Sequence, residues 1–293
     1  MPPELGALGV WWFNDTMTSS AAAEFATRIE QLGYGTLWMP ETTGRDPFAH
    51  SAHLFSRTSH LNLATGIANV HHRHPGMMKQ AALTLAEQSG GRFVLGVGVS
   101  HARMVEGTRG LKYEKPMATM RAYLEAMRSS PYTALKPTEA HSIVVAALGP
   151  RMLELAAAAA DGAHPYLTTP EHTARASEII GPNKMLCVEQ KLVLCTDAAE
   201  ARSTARRSLA RYLALPNYYR NWFRLGFDES DLQSGGSNRL VDALFAWGNE
   251  RVLRDRIEAH QRAGATHVCI QPLLAGGRGG QVDWKALEAL APR

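Results

Sequence analysis

The stretch that decides the fold is LNLATGIANVHHRHPGMMKQAALTLAEQSGGRFVLGVGV, residues 61–99. Its first part, LNLATGIA (61–68), is an apolar run of strand length. Pro75 then suits a first helical position, since its missing N–H would be unpaired there anyway. Met78, Ala81 and Leu85 share a helix face behind it until Gly90 and Gly91 stop the helix. RFVLGVGV (92–99) is a second apolar strand. A strand, a helix and a strand in one short stretch predict a βαβ unit with parallel strands.

The same alternation extends outward in both directions. Toward the start, strands are predicted at 5–12 and 36–41. Between them Ala22, Phe25, Ile29 and Leu32 mark an amphipathic helix, and a short helix at about 47–57 leads into strand 3. Toward the end, a helix at about 115–128 precedes SIVVAAL (142–148), whose continuous apolar character fits a strand covered on both faces. Further strands are predicted at 161–167, 184–195 and 266–271, with helices between them and a closing helix around Trp284, Leu287 and Leu290. The segment 213–250 breaks the rhythm, being rich in Tyr, Trp, Phe and Gly, and reads as helical with a mobile loop at SGGS (234–237). Eight strands alternating with helices predict the α/β class and a (β/α)8 TIM barrel. The expected organisation is one domain over 1–293, with an irregular helical insertion at about 213–250 before the last strand.

Composition agrees with a packed core and excludes disorder: 45% of the 293 residues are hydrophobic and 20% charged. No apolar run approaches the ~18–20 residues of a membrane span, and the start lacks the features of a secretory signal, so a cytoplasmic protein without a membrane partner is expected. Three cysteines without CxxC spacing are expected as reduced thiols. The pI of about 9.0 invites a nucleic-acid reading, for which Arg202, Arg206, Arg207 and Arg211 are the best stripe. A solvated helix face is the plainer explanation, and no nucleic-acid partner is expected.

In a barrel of this kind the chemistry sits at the carboxyl ends of the strands. That rule nominates Trp11, Trp12 and Asn14, Glu41, the segment Gly66 to His71, Ser100 and His101, Leu148 to Arg151, Tyr166, and Gln271. Leu148-Gly149-Pro150-Arg151 puts a glycine and a helix start behind a strand, where free N–H groups could hold a phosphate; a plain strand-to-helix turn would look the same. Glu41 stands after an apolar strand, either as a general acid or base or as a capping or ion-pairing group. GVGVSH (96–101) lacks the third glycine of a dinucleotide fingerprint. His71, His72 and His74 have no metal-ligand spacing, and no metal is expected.

The residues at these positions resemble the luciferase-like flavin and deazaflavin oxidoreductases, and within them the actinobacterial-type enzymes that use coenzyme F420. The likeness runs through GVWWF, LGYGTLWMPE, the whole of 63–101, and ALGPRMLELAAAAADGAHPYLTTPEHT; it is most specific in the RHP and SGGRFVLGVGV pieces. The resemblance implies a non-prolyl cis peptide in a bulge of strand 3, here at Gly66–Ile67, backing the central ring of the cofactor. It implies cofactor binding by Gly66, Ile67, Ala68, Asn69, Ser100, Leu148, Gly149, Pro150 and Arg151, the last four as a phosphate-binding turn. Glu41 falls where a related sugar-phosphate dehydrogenase has a catalytic histidine, which is a departure. The resulting expectation is a homodimeric oxidoreductase passing a hydride between F420 and a small organic substrate. Glu41 or His101 would exchange the proton, and Trp11, Trp12 and Tyr166 would shape the pocket. The alternatives are a monooxygenase using reduced FMN and oxygen, and a barrel that binds a flavin-like ligand without turnover.

Overall fold

Proline and short polar side chains set most helix starts. Pro47, Pro75, Pro116, Pro150, Pro170 and Pro216 each open a helix, where the lost N–H has no intrahelical partner to forfeit. Asp46 also caps the helix that Pro47 opens, and Thr18, Asp197, Ser237, Asn249 and Asp283 cap others, each by accepting a first-turn N–H. The computed structural model describes residues 4–139 and 141–292. In chain order the elements are β1 (Leu8–Trp11), α1 (Ser19–Gln31), β2 (Thr36–Met39), α2 (Pro47–Phe55), β3 (Asn62–Thr65), β4 (Ala68–Asn69), α3 (Pro75–Gln88) and β5 (Phe93–Gly98). Next come α4 (Ala102–Val105), α5 (Pro116–Ser129), β6 (Ser142–Val145), α6 (Pro150–Ala159), β7 (Gly162–Ala163), α7 (Pro170–Ile180) and β8 (Met185–Leu194). The chain ends with α8 (Ala198–Leu209), α9 (Pro216–Arg224), a 3-10 turn (Glu229–Gly235), α10 (Asn238–Leu244), β9 (Phe245–Gly248), α11 (Glu250–Arg262), β10 (His267–Pro272) and α12 (Trp284–Ala289).

The strands pair in parallel in the order β1-β2-β3-β5-β6-β7-β8, and β10 closes the ring by pairing with both β8 and β1. This is the expected eight-stranded barrel, with two differences in detail. Strand 3 is interrupted at Gly66 and Ile67, and its short continuation β4 pairs with β5. The segment expected to be helical between 213 and 250 also contributes a strand, β9, which pairs with the carboxyl half of β8 outside the ring. Its sequence, FAWG, is too short to show a period of its own and gains its strand form from that pairing.

The barrel interior is filled by side chains rather than hollow. Trp38 stacks on His164 at 4.4 Å and donates its indole N–H to His267 Nε2 at 3.0 Å. Because Nε2 accepts, the other ring nitrogen of His267 carries the proton and donates to the Gly6 carbonyl at 2.7 Å. Gly9 makes room for that imidazole, since a Cβ there would lie 2.7 Å from Nε2. On the outer side of β8, His260 joins Gln190 and Thr173 at 2.8 Å each. Burial holds His164 and His267 down at about 4 and His260 at about 3.

These imidazoles tie stability to pH. In the unfolded chain each takes up a proton near pH 6.5, but in the fold only near pH 3–4, so between those values the unfolded chain binds more protons. Stability therefore falls as pH drops below 6.5, by about 1.4 kcal/mol per pH unit for each such histidine. Urea unfolding at pH 7.5 and 5.5 measures the loss, and His267→Gln, which keeps a polar side chain without titrating in this range, is expected to reduce the slope.

Candidate active site

The mouth of the barrel is shaped first by a bulge. From Ala64↔Val94 to Ala68↔Val97, strand 3 advances four residues while β5 advances three, so one extra residue is accommodated. The peptide between Gly66 and Ile67 is cis. Gly66 is packed from inside the barrel: a Cβ would meet Trp11 Nε1 at 2.6 Å and His164 Nε2 at 3.1 Å. Ile67 leans over β5, within 2.6 Å of where a Cβ on Gly98 would stand. Both glycines are thus fixed by close approach. Ala68 and Asn69 continue as β4 and are buried.

Glu41 braces this bulge. Its backbone N–H donates to the Ile67 carbonyl at 3.2 Å, and its Oε2 accepts from the Asn69 N–H at 2.7 Å. Its Oε1 lies 2.6 Å from Arg73 Nη1 and 3.3 Å from His72 Nδ1, with the carboxylate side chain only 6% exposed. Arg73 in turn pairs with Asp46 and covers the Phe48 ring. His74 caps α3 through Nδ1, and His71 faces Tyr113. The histidine-rich run is therefore spent on the loop behind the bulge.

On the far side of the mouth, Ser100 adopts a left-handed backbone (φ 57°), and α4 begins directly after His101. That short helix follows GVGVSH without any glycine fingerprint. The His101 ring stands 5.6 Å from Tyr218 of α9 and bonds Asn217, while burial lowers its pKa below the ordinary imidazole value. Leu148, Gly149, Pro150 and Arg151 form the start of α6, whose N-cap Gly149 gives it no side-chain cap, and no other side chain among the described residues takes that role. Beside Gly149 lies the Arg224 guanidinium, 3.5 Å from an ideal Cβ position, and Leu148 O accepts from His172 Nε2 at 2.8 Å. An uncapped helix start with a guanidinium against it is a fitting place for an anion.

Trp11 and Tyr166 meet at 5.0 Å on the barrel floor. Trp12 does not join them: it packs outside the ring against Phe25 of α1 at 5.8 Å, correcting its expected place in the pocket. The reason is strand alternation, which sends neighbouring side chains to opposite faces.

The same alternation exposes what sequence reading overlooked. Glu189 and Lys191, two apart on β8, both point inward and are 0% exposed, paired at 3.0 Å. Lys191 Nζ also donates to Tyr166 OH at 2.6 Å and to Gln271 Oε1. Tyr212 OH bonds Tyr166 OH at 2.9 Å, and Leu167 N–H donates to Glu189 Oε2 at 3.0 Å. Desolvation pushes Glu189 up and Lys191 down, and their mutual contact opposes both shifts. A Glu and a Lys at i and i+2 inside the apolar run KMLCVEQKLVLC were the available signal.

Of the four arginines considered as a basic stripe, two fasten the insertion to α8, Arg207 bonds Ser203 and Thr204 of its own helix, and Arg211 turns to the barrel. Arg202 grips Asp242 at 2.9 and 2.6 Å, Arg206 bonds Gly236 O and Asn238, and Arg211 covers Phe13. Among the described residues no helix is long and apolar enough to cross a membrane.

The closed barrel agrees with what comparison with known proteins finds. Residues 8–267 match the family of luciferase-like monooxygenases, and the chain belongs to that family. A Mycobacterium tuberculosis protein, Rv3520c, named as a coenzyme F420-dependent oxidoreductase, is 29% identical over 65% of this chain and 67% of its own length. The 5,10-methylenetetrahydromethanopterin reductase of Methanolobus tindarius is 27% identical over 48% of each chain, so this chain spans about half of that relative. Among solved structures, the F420-dependent tetrahydromethanopterin reductase of Methanopyrus kandleri superposes with a TM-score of 0.78 over 97% of both chains at 18% identity. An F420-dependent secondary alcohol dehydrogenase gives 0.76 over 99% of this chain and 97% of its own at 14%. The FMN-bound oxygenating component of 3,6-diketocamphane monooxygenase from Pseudomonas putida gives 0.70 over 97% of both at 14%. Fold and sequence therefore agree on a luciferase-like barrel, and the family match and the relatives make the chain an oxidoreductase.

The bracing of the bulge gives a direct test. Glu41→Ala is expected to destabilise the fold by about 2–3 kcal/mol, because Arg73 and the Asn69 N–H lose a buried acceptor. Glu41→Gln, which keeps an acceptor for Asn69, is expected to lose about half as much in the same urea titration.

Proposed function

We propose that the protein is an F420-dependent oxidoreductase acting on a small organic substrate. The observation that carries this reading is the pairing of the Gly66–Ile67 bulge at the mouth with the uncapped start of α6 beside Arg224. The cradle fits a flat ring with a phosphate arm: Gly66 carries no side chain and that of Ile67 is turned over Gly98 of β5, while beneath Gly66 the Trp11 Nε1 is a buried donor without a partner among the described residues. Gly66, Ile67, Ala68 and Asn69 would back the ring, Ser100 would border it, and Leu148, Gly149, Pro150 and Arg151 would receive the phosphate. When bound, the deazaflavin supplies two-electron hydride chemistry.

The chain's own residues supply binding, shape and protons. Trp11 and Tyr166 form the floor, and α9 covers one side through Tyr218. Of the two proton-carrier candidates, His101 is the better placed, since both carboxylate oxygens of Glu41 are already engaged. We assign proton exchange to His101 and the bracing of the bulge to Glu41. The F420-dependent relative and structural neighbours support this reading. The same reading carries a homodimer in the cytoplasm, with a small molecule as its partner. A reduced-FMN monooxygenase is the second reading, favoured by the FMN-bound Pseudomonas neighbour on the same barrel.

Fluorescence titration with F420 and with FMN separates the two: saturable F420 binding is expected, and FMN binding with flavin-dependent oxygen uptake would replace the first reading by the second. With F420 established, His101→Asn is expected to lower turnover about 100-fold with F420 affinity little changed. Because burial lowers the His101 pKa, the direction in which it accepts a proton should hold its rate down through pH 6.5 and decline only below it.

A further inference from the structure

The buried lysine on β8 has three N–H donors, and three acceptors surround it. Lys191 Nζ reaches Glu189 Oε1 at 3.0 Å, Tyr166 OH at 2.6 Å and Gln271 Oε1 in a short contact. Both Glu189 oxygens receive N–H groups, one from Lys191 and one from Leu167, as a carboxylate requires. An ammonium cannot accept a hydrogen bond, so the Gln271 amide can present only its oxygen to Lys191. Tyr166 OH, 3.0 Å away, is a second donor to that same oxygen. A flipped amide would set NH2 against NH3+. The Gln271 nitrogen is therefore fixed on the opposite side, and it has no protein partner among the described residues.

Gln271 stands one pleat from the end of β10, in register with Lys191. Trp11 lies beside the same lysine, links this corner to Gly66, and holds a buried N–H with no partner among the described residues. The acceptors of this corner are thus consumed beneath, and the Gln271 amide nitrogen is the donor it leaves for a ligand, since the Trp11 N–H lies buried under Gly66. We propose that Gln271 is a substrate-binding residue that receives a carbonyl oxygen, with Lys191 as the positioning residue that fixes its amide, so that the substrate class is a ketone or aldehyde. This rests on the F420 reading for its reductant. In the reduction, the carbonyl carbon gains a hydride from the reduced deazaflavin and the carbon–oxygen π pair moves to oxygen. The Gln271 N–H steadies the charge developing there, and a proton by way of His101 completes the alcohol while the cofactor is oxidised by two electrons.

The test uses [1-13C]cyclohexanone as probe and methylenecyclohexane, which has the same shape without the oxygen, as its control. Both are titrated into the full chain with and without F420, in the native protein, in Gln271→Leu and in the double variant Lys191→Met/Glu189→Leu, which removes both buried charges together. Circular dichroism checks folding of each. The expected result is a downfield carbonyl shift in the native protein that is absent in Gln271→Leu, with ketone affinity about tenfold weaker and alkene affinity unchanged. The double variant should lose the shift while keeping Gln271 and F420 binding, which a lysine of merely structural importance would not do. A shift that survives Gln271→Leu overturns the assignment of Gln271, and one that survives the double variant overturns that of Lys191. If the native protein binds ketone no better than alkene, the carbonyl class falls. Should F420 fail to bind while the shift persists without it, the cofactor reading fails and the carbonyl site stands. If the double variant does not fold, Lys191→Gln/Glu189→Gln, which removes both charges and keeps polar side chains, takes its place with the same readout.

Discussion

Strand 3 carries one residue more than the strand beside it, and the mouth of the barrel is arranged around that mismatch. A parallel pair cannot absorb an extra residue without locally breaking its ladder. The break exposes the backbone of Gly66 and Ile67, whose groups must find other partners. They find them in β2 and its following loop: Gly66 N–H donates to Met39 O at 2.8 Å, and Ile67 O accepts from Glu41 N–H. The Glu41 carboxylate then takes the Asn69 N–H where the ladder resumes, so one residue spans the bulge from end to end. Arg73 and His72 approach that carboxylate from the loop before α3. The position of the bulge and the loop behind it are thus parts of a single hydrogen-bonding solution.

The opposite wall is built by a different rule. Between β8 and β10 the chain inserts α9, the 3-10 turn, α10 and β9, which form their own apolar cluster with Leu167, Leu209, Trp222 and Phe245. This cluster is held to α8 by guanidinium groups, and it brings Tyr218 over His101 and Arg224 over Gly149. The invariant barrel geometry positions the strand ends, while the insertion decides what covers them.

The barrel was legible because its signals are local and repeated: apolar strand runs, prolines at helix starts, glycines at helix ends. Gly66 to Asn69, Ser100, His101 and the Gly149 turn could be nominated by position alone, since strand ends converge in such a fold. Two kinds of feature were not legible. Trp11 and Trp12 are identical in chemistry and adjacent, so only the pleat phase of a four-residue strand separates floor from outer core. Glu189, Lys191 and Gln271 belong together only after β10 closes against β8, a pairing across about eighty residues that no local pattern encodes. β9 was missed for the same reason, its strand form depending on a neighbour.

Closure also explains why a charged pair can live inside the ring. An apolar pair of similar volume would serve stability as well or better, because desolvating two charges offsets most of their attraction. Stability therefore does not account for Glu189 and Lys191. What an apolar pair could not do is impose direction on its neighbours. A donor-only ammonium and an acceptor-only carboxylate each remove the choice of orientation from the groups they touch: the Leu167 N–H, the Tyr166 hydroxyl and the Gln271 amide. In water such groups reorient freely; on a buried barrel floor their dipoles are set before any ligand arrives, and preset dipoles are what make a polar site effective at low dielectric.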